Sequence, residues 1–282
     1  MEELRRKADS GDSEAQYELS MCLINTGEIE EARKYLREAA DKVDNYLQFR
    51  VGHCFERAGY PEEAEKYYRM ALDNGSEYAA GYLGAMLVDQ NRIEEAESIY
   101  ITAIDKGDVM AHFDLASMYH RLDRLEEAEK HYRIAVDNGI LQAQNNLGSL
   151  LMDSGRIEEA ESLWLAASKS GDPYAAFNLG VMYEEQHNIE DAIYYFGRSA
   201  EKRNCDARYR KAVLLERYNS KEYAEYEYRA AADEGSADAQ LWVGILLREQ
   251  GNLEEAMKYL KLAAKSGLQR AVEILRELGS EQ

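Results

Sequence analysis

An alanine returns every 32 residues along this chain, at Ala32, Ala64, Ala96, Ala128, Ala160, Ala192, Ala224 and Ala256. Two places before each stands a glutamate: Glu30, Glu62, Glu94, Glu126, Glu158, Glu190, Glu222 and Glu254. A full copy of the recurring heptapeptide is Gly155-Arg156-Ile157-Glu158-Glu159-Ala160-Glu161. A fixed period of about 20 to 50 residues marks a repeat array, whose units cannot bury their apolar faces alone and do so against their neighbours. Such a stack has no natural internal boundary, so the expectation is one domain over residues 1–282.

Within one unit, apolar residues fall at Leu147, Leu150 and Leu151, then at Ile157, Ala160, Leu163, Trp164 and Ala167. Spacings of three and four place each run on one face of a helix. Between the runs lies the column Gly27, Gly59, Asn91, Asp123, Gly155, His187, Asn219 and Gly251, mostly residues that tolerate a left-handed backbone, and it predicts the turn between two helices. A second column, Gly11, Gly75, Gly107, Gly139, Gly171, Gly235 and Gly267, predicts the C-cap of the second helix. Asp12, Ser76, Asp108, Asp172, Asn204 and Ser236 follow directly and can accept from the free N–H groups of the next helix. The chain is therefore all-α: eight antiparallel helix pairs over residues 12–267, a capping half-helix over 1–11 and a capping helix over 268–282.

The glutamate column lies in the first turn of the second helix, where negative charge meets the positive end of the macrodipole. Pairs at i, i+4 (Glu30/Lys34, Glu62/Lys66, Glu126/Lys130, Glu254/Lys258) are expected to add to this, for about 0.5 to 1 kcal/mol per repeat in all. The alanine column has a packing cause, since a small residue lets the two helices of a pair approach closely.

A 45% hydrophobic content and only 2 prolines leave ample core material and little to interrupt helices. The net charge of -20 would repel nucleic acid and anionic membrane, which excludes both as the main partner. There is no 18-residue apolar run and no apolar segment behind Met1-Glu2-Glu3-Leu4-Arg5-Arg6, which points to the cytoplasm. Cys22 and Cys54 share a column with Met86, Met118, Leu150 and Met182 and are expected to be buried thiols without a disulfide, while Cys205 lies in a polar stretch. The five histidines are scattered in sequence with no His-x-x-x-His pair, and adjacent carboxylates such as Glu158-Glu159 do not face each other on a helix. The expectation is a monomeric non-enzyme with no metal and no cofactor.

Leu147-Gly148, eleven residues, Ala160, three residues, Trp164, two residues and Ala167 resemble the tetratricopeptide repeat. The glycine before each unit and openings such as Gly171-Asp172-Pro173-Tyr174-Ala175-Ala176-Phe177-Asn178-Leu179-Gly180 resemble its Sel-one-like branch, although the loop between helices is shorter than is usual there. The resemblance implies a right-handed α-solenoid whose first helices line a concave groove. It also implies an adaptor or scaffold that holds peptides or proteins there and is generally not an enzyme.

By this resemblance two first-helix columns face the groove. One reads Tyr17, Phe49, Gly81, Phe113, Asn145, Phe177, Tyr209, Leu241 and the next Glu18, Arg50, Tyr82, Asp114, Asn146, Asn178, Arg210, Trp242. Exposed, these aromatics would mark a binding surface; the alternative is that the first column packs between neighbouring first helices. The expected contacts to a bound segment are Asn146 and Asn178 on its backbone amides and Arg210 and Arg217 on a carboxylate, with Phe177, Tyr209 and Trp242 giving apolar surface. The seventh repeat breaks the pattern: Lys211 replaces the leucine of Leu147 and Leu179, Arg203 replaces the capping glycine, and Glu227 stands where Tyr195 and Tyr259 stand in its neighbours. Local rule-breaking marks either function or degeneration. The rival to groove binding is an acidic regulatory subunit that docks on a basic partner protein through its outer surface, an association that salt would weaken steeply.

Overall fold

The computed structural model describes residues 1–40, 44–218 and 221–280, which form eighteen α-helices and no strand. Two compact units are distinguished, Met1–Ile140 and Leu141–Gln282. The first holds α1 (Glu2–Asp9) and the pairs α2 (Ser13–Thr26)/α3 (Ile29–Ala40), α4 (Asn45–Arg57)/α5 (Pro61–Asp73), α6 (Ala79–Asp89)/α7 (Ile93–Asp105) and α8 (Met110–Arg121)/α9 (Leu125–Asp137). The second holds α10 (Leu141–Asp153)/α11 (Ile157–Lys169), α12 (Pro173–Glu185)/α13 (Ile189–Ala200), α14 (Cys205–Arg217)/α15 (Lys221–Glu234), α16 (Ala237–Glu249)/α17 (Leu253–Lys265) and the lone α18 (Gln269–Ser280).

The punctuation columns act as their chemistry predicts. Asp12, Asp44, Asp172 and Asn204 accept from backbone N–H groups in the first turn of α2, α4, α12 and α14. In the turn column, Asn91, Asp123 and His187 take φ of 60°, 58° and 59°. Asn219, predicted to turn in the same way, lies outside the described residues. Arg203 is driven to φ 64° in the place of Gly171 and Gly235, a conformation that costs a Cβ-bearing residue about 1 to 2 kcal/mol.

All eight column alanines are buried. Beside them the bare backbone of a first-helix glycine receives the side chain sixteen residues on: a Cβ on Gly84 would lie 2.2 Å from Tyr100 Cζ, and one on Gly148 would lie 2.5 Å from Trp164 Nε1. The Trp164 indole N–H then donates to Asn145 O at 3.1 Å, so the ring is buried without an orphaned donor. Successive pairs are tied by buried polar side chains: Gln16, Gln48 and Gln240 donate from Nε2 to the carbonyls of Ala8, Ala40 and Ala232 at 3.1, 3.3 and 3.1 Å.

The seventh repeat departs from pattern in a mutually compensating way. Arg208 occupies the glutamine position and donates to Ala200 O at 3.2 Å, as the glutamines do. Its guanidinium also meets Glu227 at 3.0 Å and Glu234 at 2.9 Å, and Lys211 Nζ meets the other Glu227 oxygen at 2.6 Å. Lys211 on α14 and Glu227 on α15 thus replace an apolar pair by an ion pair across the same interface.

Several expectations are corrected. Ile157 is 39% exposed, because the first residue of α11 lies at the rim. Among the described residues the i, i+4 Glu/Lys pairs do not close; Glu30 instead meets Arg33 at i, i+3, and Arg92, Arg124 and Arg156 reach forward three residues to Glu95, Glu127 and Glu159. Cys54 is buried with Sγ 3.1 Å from Met21 Sδ, but Cys22 is only half-buried; the three thiols are free. The histidines, scattered in sequence, are not all apart in space: His112 and His131 bring their Nδ1 atoms to 2.9 Å on the positions that Arg208 and Glu227 fill in the seventh repeat.

Candidate partner-binding surface

The first helices of neighbouring pairs lie side by side, α2 with α4 and α6 with α8 in the first unit and α10 with α12 in the second. Their registers are offset by one residue beyond the repeat, so a residue of the first column meets the residue 33 further on. Tyr17 carries the Arg50 guanidinium 3.9 Å above its ring, and Phe49 packs edge-on to Tyr82 at 5.0 Å. In the second unit Asn178 Nδ2 donates to Asn145 Oδ1 at 3.0 Å, and the Arg210 guanidinium lies 6.0 Å from the Phe177 ring.

The second unit holds every residue singled out for the partner site. Asn178 is engaged by Asn145, which itself donates to Asn146 Oδ1 at 3.4 Å, so the two predicted amide clamps belong to one network through a bridging residue not assigned to the site. Phe177 and Tyr209 are half-buried against Phe196 (5.6 Å) and Tyr228 (5.7 Å), so this column does pack inward while keeping an exposed edge. Trp242 stacks on Tyr228 with centroids 3.9 Å apart, which its otherwise polar column did not suggest. Arg217 is exposed at the end of α14.

Arg210 lies 5.5 Å from the Phe196 ring as well as near Phe177, and its Nη2 is 3.0 Å from Glu184 Oε2. That contact is an ion pair out of hydrogen-bond alignment, for the buried Glu184 oxygen receives no hydrogen bond. The guanidinium is thus positioned over two rings and charge-balanced, with its side chain 38% exposed and donors left over. A tyrosine of the same unit is tied down: Tyr228 donates to Glu216 at 2.8 Å, and burial followed by that carboxylate raises its pKa.

Among the described residues there is no group of three or more potential metal ligands, and no helix is long and apolar enough to cross a membrane.

A family profile described as tetratricopeptide repeat matches residues 84–143, 145–207 and 222–271; a second of that description matches 13–41, and a Sel1 repeat profile matches 47–76. None of the curated proteins compared matches the chain. Among solved structures, a Sel1 repeat protein from Oxalobacter formigenes is similar at TM-score 0.62 and 22% identity, over 99% of this chain and 90% of that one. A protective antigen of uropathogenic Escherichia coli strains displaying an SLR fold gives 0.54 and 20%, over 96% and 72%. Yeast Tom70 gives 0.61 and 16%, over 90% of this chain and 59% of its own. At these identities the likeness concerns the fold alone, a helical-repeat solenoid.

Proposed function

This chain belongs to the tetratricopeptide-repeat superfamily and carries Sel1-like repeats, and on that premise we propose that it is a scaffold holding an extended or short helical partner segment along α12, α14 and α16. Arrays of this family commonly mediate protein–protein interaction and are typically not enzymes. The observation that carries the finer reading is Arg210: a guanidinium held over Phe177 and Phe196, paired with Glu184 out of alignment, and still partly open. A partner carboxylate there would gain about 1 kcal/mol at this exposure, and up to about 3 kcal/mol if the bound segment excludes water. Trp242 and Tyr209 add apolar surface, and the Asn145–Asn146–Asn178 network adds amide donors and acceptors for a backbone. In this reading the scaffold is a cytoplasmic monomer without cofactor.

Arg210→Glu should abolish partner binding in isothermal titration while leaving the far-ultraviolet circular dichroism unchanged. Lys202→Glu, in the exposed turn after α13, is the control; Arg198 is unsuitable because its Nη2 donates to Ser168 O at 3.0 Å. Undiminished affinity in Arg210→Glu would remove the carboxylate contact. The rival, outer-surface docking on a basic partner, draws on the charge of -20 and is recognised by affinity that collapses with added salt.

A further inference from the structure

Along the first unit, the contacts between a first-column residue and the residue 33 further on follow one rule with one exception. Tyr17 with Arg50 and Phe49 with Tyr82 fill the space between neighbouring first helices. The next pair is Gly81 and Asp114, and here one partner has no side chain. A Cβ on Gly81 would come within 2.8 Å of Asp114 Oδ2, so the carboxylate leans over the bare glycine. The result is an open hollow of about 460 Å³ between α6 and α8, within the usual range for ligand sites. Its lining includes Tyr78 and Tyr82, both substantially exposed, the carboxylates of Glu77, Asp108 and Asp114, and no basic residue.

The carboxylates differ in commitment. Asp108 caps α8, its Oδ1 accepting from Met110 N at 2.9 Å and Ala111 N at 3.4 Å, and so already answers the positive end of that helix. Asp114 has no hydrogen bond or ion pair among the described residues, although it is half-buried. Burial first, and the Asp108 charge second, hold its carboxyl up at about 6, which leaves it mostly ionised at neutral pH. A half-buried ionised carboxylate without a partner is costly, and a cation in the hollow would remove that cost.

The same unit shows what such a cation looks like when the chain supplies it. Two repeats earlier, Arg50 lies over Tyr17 at 3.9 Å and near Tyr46 at 5.6 Å, and donates to Glu14 at 2.6 Å: a guanidinium with two tyrosine rings and a carboxylate. Tyr78 is the counterpart of Tyr46 one repeat on. Between α6 and α8 the tyrosines and carboxylates are present, and the space is open. From the hollow an aromatic strip of Tyr78, Phe49 and Tyr46, with rings 5.6 to 6.4 Å apart, runs on to α4 and offers a surface for the residues flanking the cation.

We propose that the hollow between α6 and α8 receives a cationic side chain, the guanidinium of an arginine or the ammonium of a lysine, carried by an extended partner segment. Such a receptor rests on the scaffold role proposed above and specifies part of the partner's chemistry. Aromatic rings attract a cation through their quadrupoles, and the adjoining carboxylate fixes it by a charge-assisted hydrogen bond.

The test uses the full chain at physiological ionic strength, where a screening length of about 8 Å suppresses the diffuse pull of an acidic protein. The probes are the amidated, acetylated pentapeptide Gly-Ser-Arg-Ser-Gly, its lysine version and its uncharged citrulline version, followed by nuclear magnetic resonance. The charged peptides should shift the Gly81 amide and those of α8, and citrulline should bind about tenfold more weakly. Asp114→Asn should weaken the charged peptides about tenfold, whereas Asp153→Asn, the same charge change at an exposed site in α10, should alter binding less than about twofold. Gly81→Ala, whose methyl displaces the carboxylate, should act in the same direction as Asp114→Asn. Equal losses in Asp114→Asn and Asp153→Asn, or equal binding of citrulline and arginine, would overturn the proposal. Arg210→Glu leaves this titration untouched, so a failure here and a failure of the α12–α16 surface are read separately.

Discussion

Replacing the Lys211–Glu227 ion pair by the apolar pair of the neighbouring repeats tests how far the seventh repeat is a compensated exchange. The Glu227 side chain is 10% exposed and accepts from Lys211 at 2.6 Å and Arg208 at 3.0 Å. Glu227→Tyr therefore strands two cations. Removing one partner of a fully buried pair costs about 3 to 5 kcal/mol. Here Arg208 keeps Glu234, and Lys211, 23% exposed, can turn towards water, so about 2 to 3 kcal/mol is expected. Lys211→Leu alone leaves Glu227 with Arg208 and should cost about 1 kcal/mol. The double substitution Lys211→Leu/Glu227→Tyr recreates the Val243/Tyr259 type of contact found one repeat on, and should be within about 1 kcal/mol of the parent or more stable. Urea unfolding of the four proteins, with unchanged m-values, closes a double-mutant cycle whose coupling should exceed about 2 kcal/mol. Additive effects, with the double as unstable as the sum of the singles, would refute the view that these residues replaced one another's partners.

Arg203→Gly should raise stability by about 0.5 to 1 kcal/mol, because glycine accepts the left-handed backbone after α13 without strain; a lower urea midpoint would contradict this. Ala160→Leu should lower stability by about 1 to 3 kcal/mol by overpacking the α10/α11 contact. Glu161→Gln should show a smaller loss by the same measurement, since Glu161 Oε1 accepts from the Tyr183 hydroxyl at 2.5 Å. The His112–His131 pair should make the first unit acid-labile: burial lowers both pKa values, the unfolded chain binds more protons, and stability falls as pH drops through 6.5. His112→Gln, restoring the residue type of Gln16 and Gln48, should flatten thermal melting against pH between about 7 and 5, and an unchanged slope would show that the pair does not titrate on folding.

Much of the fold was legible in the sequence because it is local and repeated. The period, the helix faces, the left-handed turns at Asn91, Asp123 and His187 and the caps at Asp12 and Asp172 each depend on residues within a few positions of one another, and eight copies average out the noise of any one. The alanine and glycine columns were legible for a related reason: close helix approach admits only small residues, so the constraint appears as residue identity. What tertiary structure alone decided is which side chains meet across neighbouring repeats. Lys211 and Glu227 look like two separate errors until α14 and α15 pack and make them one ion pair. His112 and His131 look scattered until α8 lies on α9. Gly81 reads as a gap in an aromatic column, and only the offset of 33 residues between first helices turns that gap into a hollow facing Asp114. The physical reason is one of range: propensity and capping act along the chain, whereas charge compensation, ring seating and cavities depend on distances of a few ångströms between residues 16, 19 or 33 apart, set by packing.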